Sequence, residues 1–287
     1  MTSHQSVWVT GQRNLRRQLQ NSGCVPGTET DIELVPPAVA AHAIATYTGC
    51  GDLVVDPDCG TGTVLVEALR AGRHALGLTA NPPWWTTARA NVTAAKREGA
   101  LCDGSVLDLR PTMSTAIQTA GLVARVDLLL TALRVVEGPA GSPTRSPESA
   151  IHDLATTLNY CAPMLRTGGH VVVVTRPQRY PDGSLVELAT RLTDAATSVG
   201  LVLVDCCVAL SAGLRANRLV TRASFSERRT AARTRNTTAP VALAAHHEVF
   251  VFRRAQNTAC DVAAAKMPRL QRRPRCEADS LVGRRAA

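Results

Sequence analysis

The sequence predicts an α/β fold built on a mostly parallel sheet. Short apolar runs alternate with segments long enough for helices, and these runs fall at residues 53–56, 74–79, 126–131 and 170–175. The first run leads through a turn rich in glycine and threonine into apolar residues at helical spacing, 64, 65, 68 and 69. Repeated strand–turn–helix units of this kind form a parallel sheet covered by helices.

Length and composition favour one domain with appendages. The chain has 287 residues, of which 45% are hydrophobic, and this is enough to bury one good core. We expect an N-terminal arm over residues 1–30, a domain over 31–254 and a basic, disordered tail over 255–287. No apolar run approaches the length of a membrane span, so we expect a soluble protein without a membrane partner.

Charge and cysteine usage bound the partners and the compartment. The chain has 32 Lys and Arg against 23 Asp and Glu, a formal charge of +9, which favours a polyanionic partner such as nucleic acid. An arginine-rich composition alone can give the same balance. The nine cysteines form no CxxC pair and no metal-ligand spacing, and their count is odd. We therefore expect reduced thiols, no metal and a cytoplasmic location.

The turn after the first strand is the leading candidate for a binding site. It reads Asp56-Pro57-Asp58-Cys59-Gly60-Thr61-Gly62-Thr63. Glycine tolerates positive φ and lets a ligand approach the backbone closely. The helix that follows turns unpaired N–H groups and the positive end of its dipole toward the turn. In an open α/β sheet this is where a nucleotide-like ligand binds, although a turn of this kind can also bind nothing.

The residues around this turn resemble a known group of enzymes. The counterparts are Gly51-Asp52, Asp56-Pro57, Cys59-Gly60, Gly62-Thr63, Glu67-Ala68, Gly72-Arg73 and Gly77. The stretch is similar to the S-adenosylmethionine loop of the methyltransferases that modify DNA adenine N6 or cytosine N4, and of related tRNA guanine-N2 enzymes. The resemblance extends diffusely over residues 7–254. It implies a Rossmann-like class I methyltransferase fold with a seven-stranded, mostly parallel sheet and an antiparallel last strand.

The resemblance also implies a cofactor and the residues that hold it. S-adenosylmethionine would lie against Asp56, Pro57 and the residues Cys59, Gly60, Thr61, Gly62 and Thr63. Relatives carry a carboxylate for the ribose at the end of the second strand, where this chain has Thr79, and Asn81 is a partial substitute. For the adenine amino group we favour Asp103 as the acceptor. A register two residues later would place Ser105 there instead.

The remaining elements are predicted from helix starts and apolar runs. Two leading prolines suit a helix at 38–46, and Ser146 caps a helix over 147–165. The other predicted elements are helices at 84–98 and 184–199 and strands at 100–102, 201–210 and 247–252. By resemblance, the last two strands form an antiparallel hairpin.

The catalytic tetrapeptide of the relatives is missing from its expected place. Asn81-Pro82-Pro83-Trp84 matches their Pro-Pro-aromatic signature, but it follows the second strand, so we interpret its prolines as the start of a helix. After the fourth strand, where the signature belongs, the chain reads Ala132-Leu133-Arg134-Val135. Thr131, just before this stretch, is the only hydroxyl left in the register of the strand. Arg134 either points away from a site built around a sulfonium cation or opposes catalysis there.

An arginine-rich stretch between the last two strands is the candidate nucleic-acid site. It includes Arg215, Arg218, Arg222, Arg228 and Arg229. These side chains can neutralise phosphates of DNA or tRNA without reading sequence, because the stretch lacks interleaved aromatics. An exposed, solvated loop is the alternative.

Three functions therefore stay open. The first is a nucleic-acid amino-methyltransferase with altered catalytic residues. The second is a relative that binds nucleic acid, cofactor or a partner protein without turnover. The third is a methyltransferase of small molecules, since fold alone does not choose among them.

Overall fold

The computed structural model describes residues 4–108, 121–135, 145–180, 182–237 and 240–255. The predicted tail over 255–287 lies outside these residues, apart from residue 255.

The described residues form ten strands and seven α-helices, with short 3-10 helices at Thr28–Thr30 and Ala162–Met164. The strands are β1 Val7–Trp8, β2 Leu53–Asp56, β3 His74–Thr79, β4 Gly104–Asp108, β5 Val126–Ala132, β6 Leu165–Thr175, β7 Leu201–Leu210, β8 Gly213–Arg215, β9 Arg218–Val220 and β10 His246–Arg254. The helices are α1 Leu15–Asn21, α2 Pro37–Tyr47, α3 Thr63–Arg70, α4 Pro82–Arg97, α5 Pro147–Cys161, α6 Ala189–Thr197 and α7 Phe225–Thr234.

Eight strands form one sheet in the order β1-β7-β10-β6-β5-β2-β3-β4, while β8 and β9 form a separate hairpin. β10 is antiparallel to both β6 and β7, whereas the pairs β2–β3, β2–β5, β3–β4, β5–β6 and β1–β7 are parallel. The predicted seven-stranded sheet with an antiparallel last strand is confirmed. β1 adds an eighth strand at one edge.

The strand order creates a crevice at the carboxyl edge of the sheet. From β2 the chain moves outward through β3 and β4, and it then returns to the other side of β2 as β5 and β6. Helices on such connections cover opposite faces of the sheet, which leaves an opening where the direction reverses. The turn after β2 and the chain after β5 lie at that opening.

Alternating strand residues pack into two apolar layers. Val54 faces the layer that contains α2, α3 and α4, and Val55 faces the layer that contains α5 and α6. Successive side chains of a strand point to opposite faces of the sheet, so a strand covered on both faces is apolar throughout. This explains why the central strands appear in the sequence as uninterrupted apolar runs.

One predicted strand is wrong. The third parallel strand is Gly104–Asp108 and not residues 100–102. β4 is the edge strand, and only Val106 of its five residues is buried, so its sequence has no continuous apolar run. The predicted helix at 147–165 ends at Cys161, and β6 already begins at Leu165.

The N-terminal arm packs on the domain. Trp8 is fully buried in the layer that contains α2, and Thr28 and Asp31 are buried against the glycine loop. The described part of the arm therefore contributes buried residues to the fold. None of the helices in the described ranges is long and apolar enough to cross a membrane.

The packed arm gives the first prediction. Replacing Trp8 with alanine should lower the free energy of unfolding by about 3–5 kcal/mol, because it leaves a large cavity under β1. The neighbouring Val7 is 48% exposed, so Val7→Ala should change stability by less than about 1 kcal/mol. Urea denaturation of both variants measures the difference, and equal small effects would mean that the arm is not part of the fold.

Candidate ligand site at the glycine loop

The turn between β2 and α3, residues 57–62, is held close to its neighbours. Gly60 and Gly62 have φ angles of +50° and +87°, a conformation that favours glycine. A Cβ atom on Gly62 would lie 3.0 Å from the Cβ of Ala88, so α4 also requires glycine there. The N–H of Cys59 donates to the Leu78 carbonyl of β3 at 2.9 Å. The loop is thus fixed between β3 and α4.

The segment before α2, residues 22–36, crosses over this loop; we call it the crossing segment. Thr61 Oγ1 donates to the Thr28 carbonyl at 3.1 Å, and Thr63 Oγ1 donates to the Val35 carbonyl at 2.8 Å. Asn91 of α4 donates to both Thr28 Oγ1 and the Thr61 carbonyl. These buried hydrogen bonds join the crossing segment, the loop and α4 into one unit.

A buried ion pair links the crossing segment to the end of β5. Arg134 Nη1 donates to Asp31 Oδ1 at 2.7 Å, and Nη2 donates to Asp31 Oδ2 at 3.0 Å. The exposed fractions of the two side chains are only 8% and 1%. The N–H of Thr61 also donates to Asp31. Two-point pairing of this kind is the strong geometry for a guanidinium and a carboxylate.

Arg134 reaches from β5 across to the glycine loop. Its Nε and Nη2 donate to the Asp58 carbonyl, at 3.2 and 3.1 Å, and Nε lies 3.2 Å from Asp58 Oδ2. Its Cζ lies 5.0 Å from the centre of the Trp84 ring. Burial alone would lower the pKa of Arg134, but Asp58 and Asp31 outweigh it and raise the pKa above its usual range. The guanidinium is therefore permanently charged.

The ion pair fills the space in front of Gly60. A Cβ atom at residue 60 would clash with both Asp31 Oδ2 and Arg134 Nη2. Of the two possibilities for Arg134, pointing away is wrong: its side chain lies inside the crevice. The glycine at this position makes room for side chains of the protein itself.

Asp56, the last residue of β2, is a buried carboxyl group beside this cluster. Burial raises its pKa to about 7; Arg134 opposes the shift, and Asp58 adds to it. The N–H of Asp58 donates to Asp56 Oδ1 at 3.1 Å. Thr131 Oγ1 also faces the carboxyl group, although its geometry falls short of a hydrogen bond. Arg134 therefore offsets only part of the effect of burial on the pKa of Asp56.

Thr79 and Asn81 form hydrogen bonds at the junction of β3 and α4. Thr79 is buried as the last residue of the strand, and its Oγ1 accepts from the N–H of Asn81 at 3.2 Å. Asn81 caps α4 by accepting from the N–H of Trp84 at 3.3 Å. Pro82 and Pro83 occupy the first turn of α4. The interpretation of these prolines as a helix start is confirmed.

The structure separates Asp103 from the other predicted cofactor residues. Asp103 precedes β4, at the amino end of the strands, and its carboxylate lies 3.5 Å from His74 at the start of β3. Its side chain is 94% exposed. Ser105 lies in the exposed part of β4, opposite Leu76. The acid at the carboxyl end of β4 is Asp108, which pairs in register with Thr79.

The end of β5 is apolar apart from Thr131 and Arg134. Ala132 is the last residue of the strand, and Leu133 is buried and donates its N–H to the Val174 carbonyl. Val135 is buried in the layer that contains α5, and its N–H donates to Glu33 Oε2 at 2.6 Å. No aromatic residue occurs among residues 131–135.

Cys59 of the glycine loop packs against β3. The Cys59 thiol is buried, and a Cβ atom on Gly77 of β3 would lie 2.7 Å from its Sγ. Burial, with Asp56 and Asp58, raises the pKa of Cys59 well above its usual value, so the thiol is unreactive.

Of the arginine-rich stretch, Arg215 and Arg218 lie on the β8–β9 hairpin, and Arg222, Arg228 and Arg229 follow it.

Sequence reasoning missed Asp31 and Asp108. A buried arginine requires a carboxylate partner, but nothing in the sequence relates Arg134 to a residue 103 positions earlier. Asp108 was missed because β4 was placed four residues too early.

Comparison with known proteins gives only remote likenesses. No protein-family model and no curated protein matches the chain. Among solved structures, TrmN from Thermus thermophilus is similar, with 16% identity and a TM-score of 0.48. The match covers 84% of this chain and 53% of TrmN, so this chain spans about half the length of that protein. A geranyl diphosphate methyltransferase in complex with SAM matches over 86% of this chain and 98% of that chain, with 14% identity and a TM-score of 0.48.

A third similar structure is 1,6-didemethyltoxoflavin-N1-methyltransferase from Burkholderia thailandensis. Its identity is 16% and its TM-score 0.45, over 84% of this chain and 88% of that chain. Seven parallel strands with β10 inserted antiparallel between β6 and β7, around a glycine loop after β2, decide the fold. The chain has the class I methyltransferase fold.

The raised pKa of Asp56 gives a pH prediction. Between its ordinary value of 3.8 and about 7, the unfolded chain releases a proton that the folded chain keeps. Stability contributed by protonated Asp56 is therefore lost as the pH rises through this window, by up to about 1.4 kcal/mol per pH unit. The Asp56→Asn variant lacks this titration, so it should gain stability relative to the wild type from pH 4 to 7 and no further above pH 8.

Urea denaturation at unit pH steps measures this difference. Subtracting the wild-type curve from that of the variant cancels the titration of all other groups. A difference that does not change with pH would show that Asp56 titrates normally in the fold.

Proposed function

We propose that this protein binds S-adenosylmethionine weakly at the glycine loop and does not methylate amino groups of nucleic acids. The observation that carries this proposal is the buried ion pair between Arg134 and Asp31 across the crevice.

Part of the site suits an adenosyl ligand. The glycine loop and the ends of β3 and β4 meet at the carboxyl edge, where sheets of this topology bind nucleotide-like ligands. Burial raises the pKa of Asp56 to about 7, so the carboxyl group is partly protonated near neutral pH, and a cation beside it would favour the charged carboxylate. S-adenosylmethionine carries such a cation, its sulfonium, which when bound makes a methyl group available for transfer.

Two features weaken this binding. Thr79 stands where the relatives carry a carboxylate for the ribose, and the loss of a hydrogen bond to a charged group costs about 1.5–3 kcal/mol. That corresponds to about 10- to 100-fold in affinity. In addition, Arg134 and Asp31 fill the space in front of Gly60, so a ligand that needs this space must displace them.

The end of β5 does not support amino-group methylation. An exocyclic amine is conjugated with its ring and is a poor nucleophile, so the reaction needs oxygen acceptors for its two N–H groups. In their place the chain has Ala132 and Leu133, both buried, followed by a charged guanidinium. A fixed positive charge also opposes the approach of a second cation in a cleft of low dielectric.

Calorimetry and a methyl-transfer assay test the two parts separately. Titration with S-adenosylmethionine should give measurable heat, and no heat at millimolar ligand would contradict the binding. A tritiated-methyl assay on DNA and tRNA should give no incorporation above the blank. Incorporation into either would overturn the second part and support an active amino-methyltransferase, while incorporation into small-molecule extracts alone would support the third function.

Removing Arg134 should strengthen cofactor binding. In Arg134→Ala the space in front of Gly60 opens, and the carboxylates of Asp31 and Asp58 lose the cation that Arg134 provides. We expect affinity for S-adenosylmethionine to rise at least tenfold, with a larger thermal shift than in the wild type. Arg97→Ala, at the exposed end of α4, makes the same change in net charge and should leave the affinity unchanged.

The double variant Arg134→Ala/Asp31→Asn is a control for misfolding, because it leaves fewer unpaired buried charges than Arg134→Ala does. It should also bind more tightly than the wild type. Unchanged affinity in both folded variants would show that Arg134 does not compete with the cofactor.

A further inference from the structure

We infer that a cleft between the N-terminal arm and the β8–β9 hairpin binds the phosphate backbone of nucleic acid. The cleft has a volume of about 430 Å³. Five arginines line it, three from the arm and two from the hairpin region: Arg13, Arg16, Arg17, Arg215 and Arg222. We call it the basic cleft. The inference does not depend on cofactor binding.

The fold brings together two segments that are about 200 residues apart. β1 pairs with β7 in parallel, and Thr10 Oγ1 donates to the Leu210 carbonyl at 2.8 Å. A Cβ atom on Gly11 would clash with the backbone of Ala212, so the two segments touch directly. Because β1 and β7 are parallel to β2, the chain that follows each of them emerges at the edge that carries the glycine loop.

The walls of the basic cleft are fixed in place. Arg222 donates to the carbonyls of Gly11 and Gln12, at distances of 2.9 to 3.2 Å, and so ties the second wall to the first. Gln18 donates to the Thr10 and Arg13 carbonyls and accepts from the N–H of Ala38, which holds α1 on α2. Arginines on a fixed scaffold lose less conformational entropy when a ligand binds.

The charge of the basic cleft is not balanced by the protein. None of its described lining residues is Asp or Glu. Within the part of the chain that the structure describes, no carboxylate lies in ion-pair distance of any of the five guanidinium groups. Arg222 is bound to carbonyls, which leaves Arg13, Arg16, Arg17 and Arg215 to face a ligand. Cations held together without acids repel each other, and an anion relieves that repulsion.

Four guanidinium groups carry more positive charge than a single phosphate can neutralise. A single phosphate carries at most about two negative charges, whereas each nucleotide of a nucleic-acid strand adds one. Arginine also matches phosphate oxygens with two parallel N–H donors. Among the lining residues that the structure describes, none has an aromatic side chain on which an unpaired base could stack. Duplex backbone, bound without regard to sequence, therefore fits the basic cleft better than single strands do.

The structure also separates the basic cleft from other arginines nearby. Arg218 and Arg229 are exposed, at the start of β9 and on α7, and neither lines the cleft. The sequence alone groups these two with Arg215 and Arg222. They provide a control pair with the same change in net charge.

The test is fluorescence anisotropy with a labelled 20-base-pair duplex between 50 and 200 mM salt, using the full chain. Arg16→Gln/Arg215→Gln should weaken binding about 10- to 100-fold and reduce the slope of log K against log salt by about 1.8, or 0.9 for each phosphate contact. Arg218→Gln/Arg229→Gln should change the slope by less than about 0.5. Equal thermal melting of both variants excludes misfolding as the cause.

Three results would overturn the inference. One is an equal loss in both variants, which would indicate diffuse charge. Another is no loss in the cleft variant, which would place binding elsewhere. The third is retention of the protein by anionic lipid vesicles with no binding to duplex, which would assign the cleft to a membrane surface. A single-stranded 20-mer and inorganic phosphate as competitors should both be weaker than the duplex.

Discussion

The guanidinium of Arg134 connects three parts of the molecule that are far apart in sequence. It follows β5, lies against the backbone of the glycine loop after β2, and forms a two-point ion pair with Asp31 of the crossing segment. A buried charge is tolerated only when it is paired and hydrogen-bonded, so each partner requires the other. The positions of the crossing segment and the loop therefore both depend on this side chain.

The same contact decides what the crevice can do. Sheets of this topology open between the strands at which the chain reverses direction, and here a side chain bridges that opening. The protein supplies its own cation in a place lined by Asp31, Asp56 and Asp58. A ligand cation has to compete with it, and a reaction at the end of β5 would take place beside a permanent positive charge. Both observations support the proposal that the protein keeps this fold without methylating amino groups.

The sequence predicts the central sheet well because local and global signals agree there. The bounds of β2 and β3 coincide with apolar runs, and the glycine turn has one structural solution between a strand and a helix. The edge strand β4 was misplaced because one buried residue in five leaves no periodic signal. Asp103 was consequently assigned to the wrong end of the strands, and Asp108 was overlooked.

Contacts between distant segments could not be predicted. Arg134 stood out as a cation in an unsuitable place, but its carboxylate partner is visible only in three dimensions. The basic cleft is a similar case, since Arg13 and Arg215 become neighbours only because β1 pairs with β7.

A double-mutant cycle on Arg134 and Asp31 tests this account most directly. Unfolding free energies of Arg134→Met, Asp31→Asn and the double variant are compared with that of the wild type. Each single variant should lose about 3–5 kcal/mol, because it leaves a buried charge without its partner. The double variant should lose at least about 2 kcal/mol less than the sum of the two. Losses that add to within about 0.5 kcal/mol would show that the two side chains do not hold the loop together.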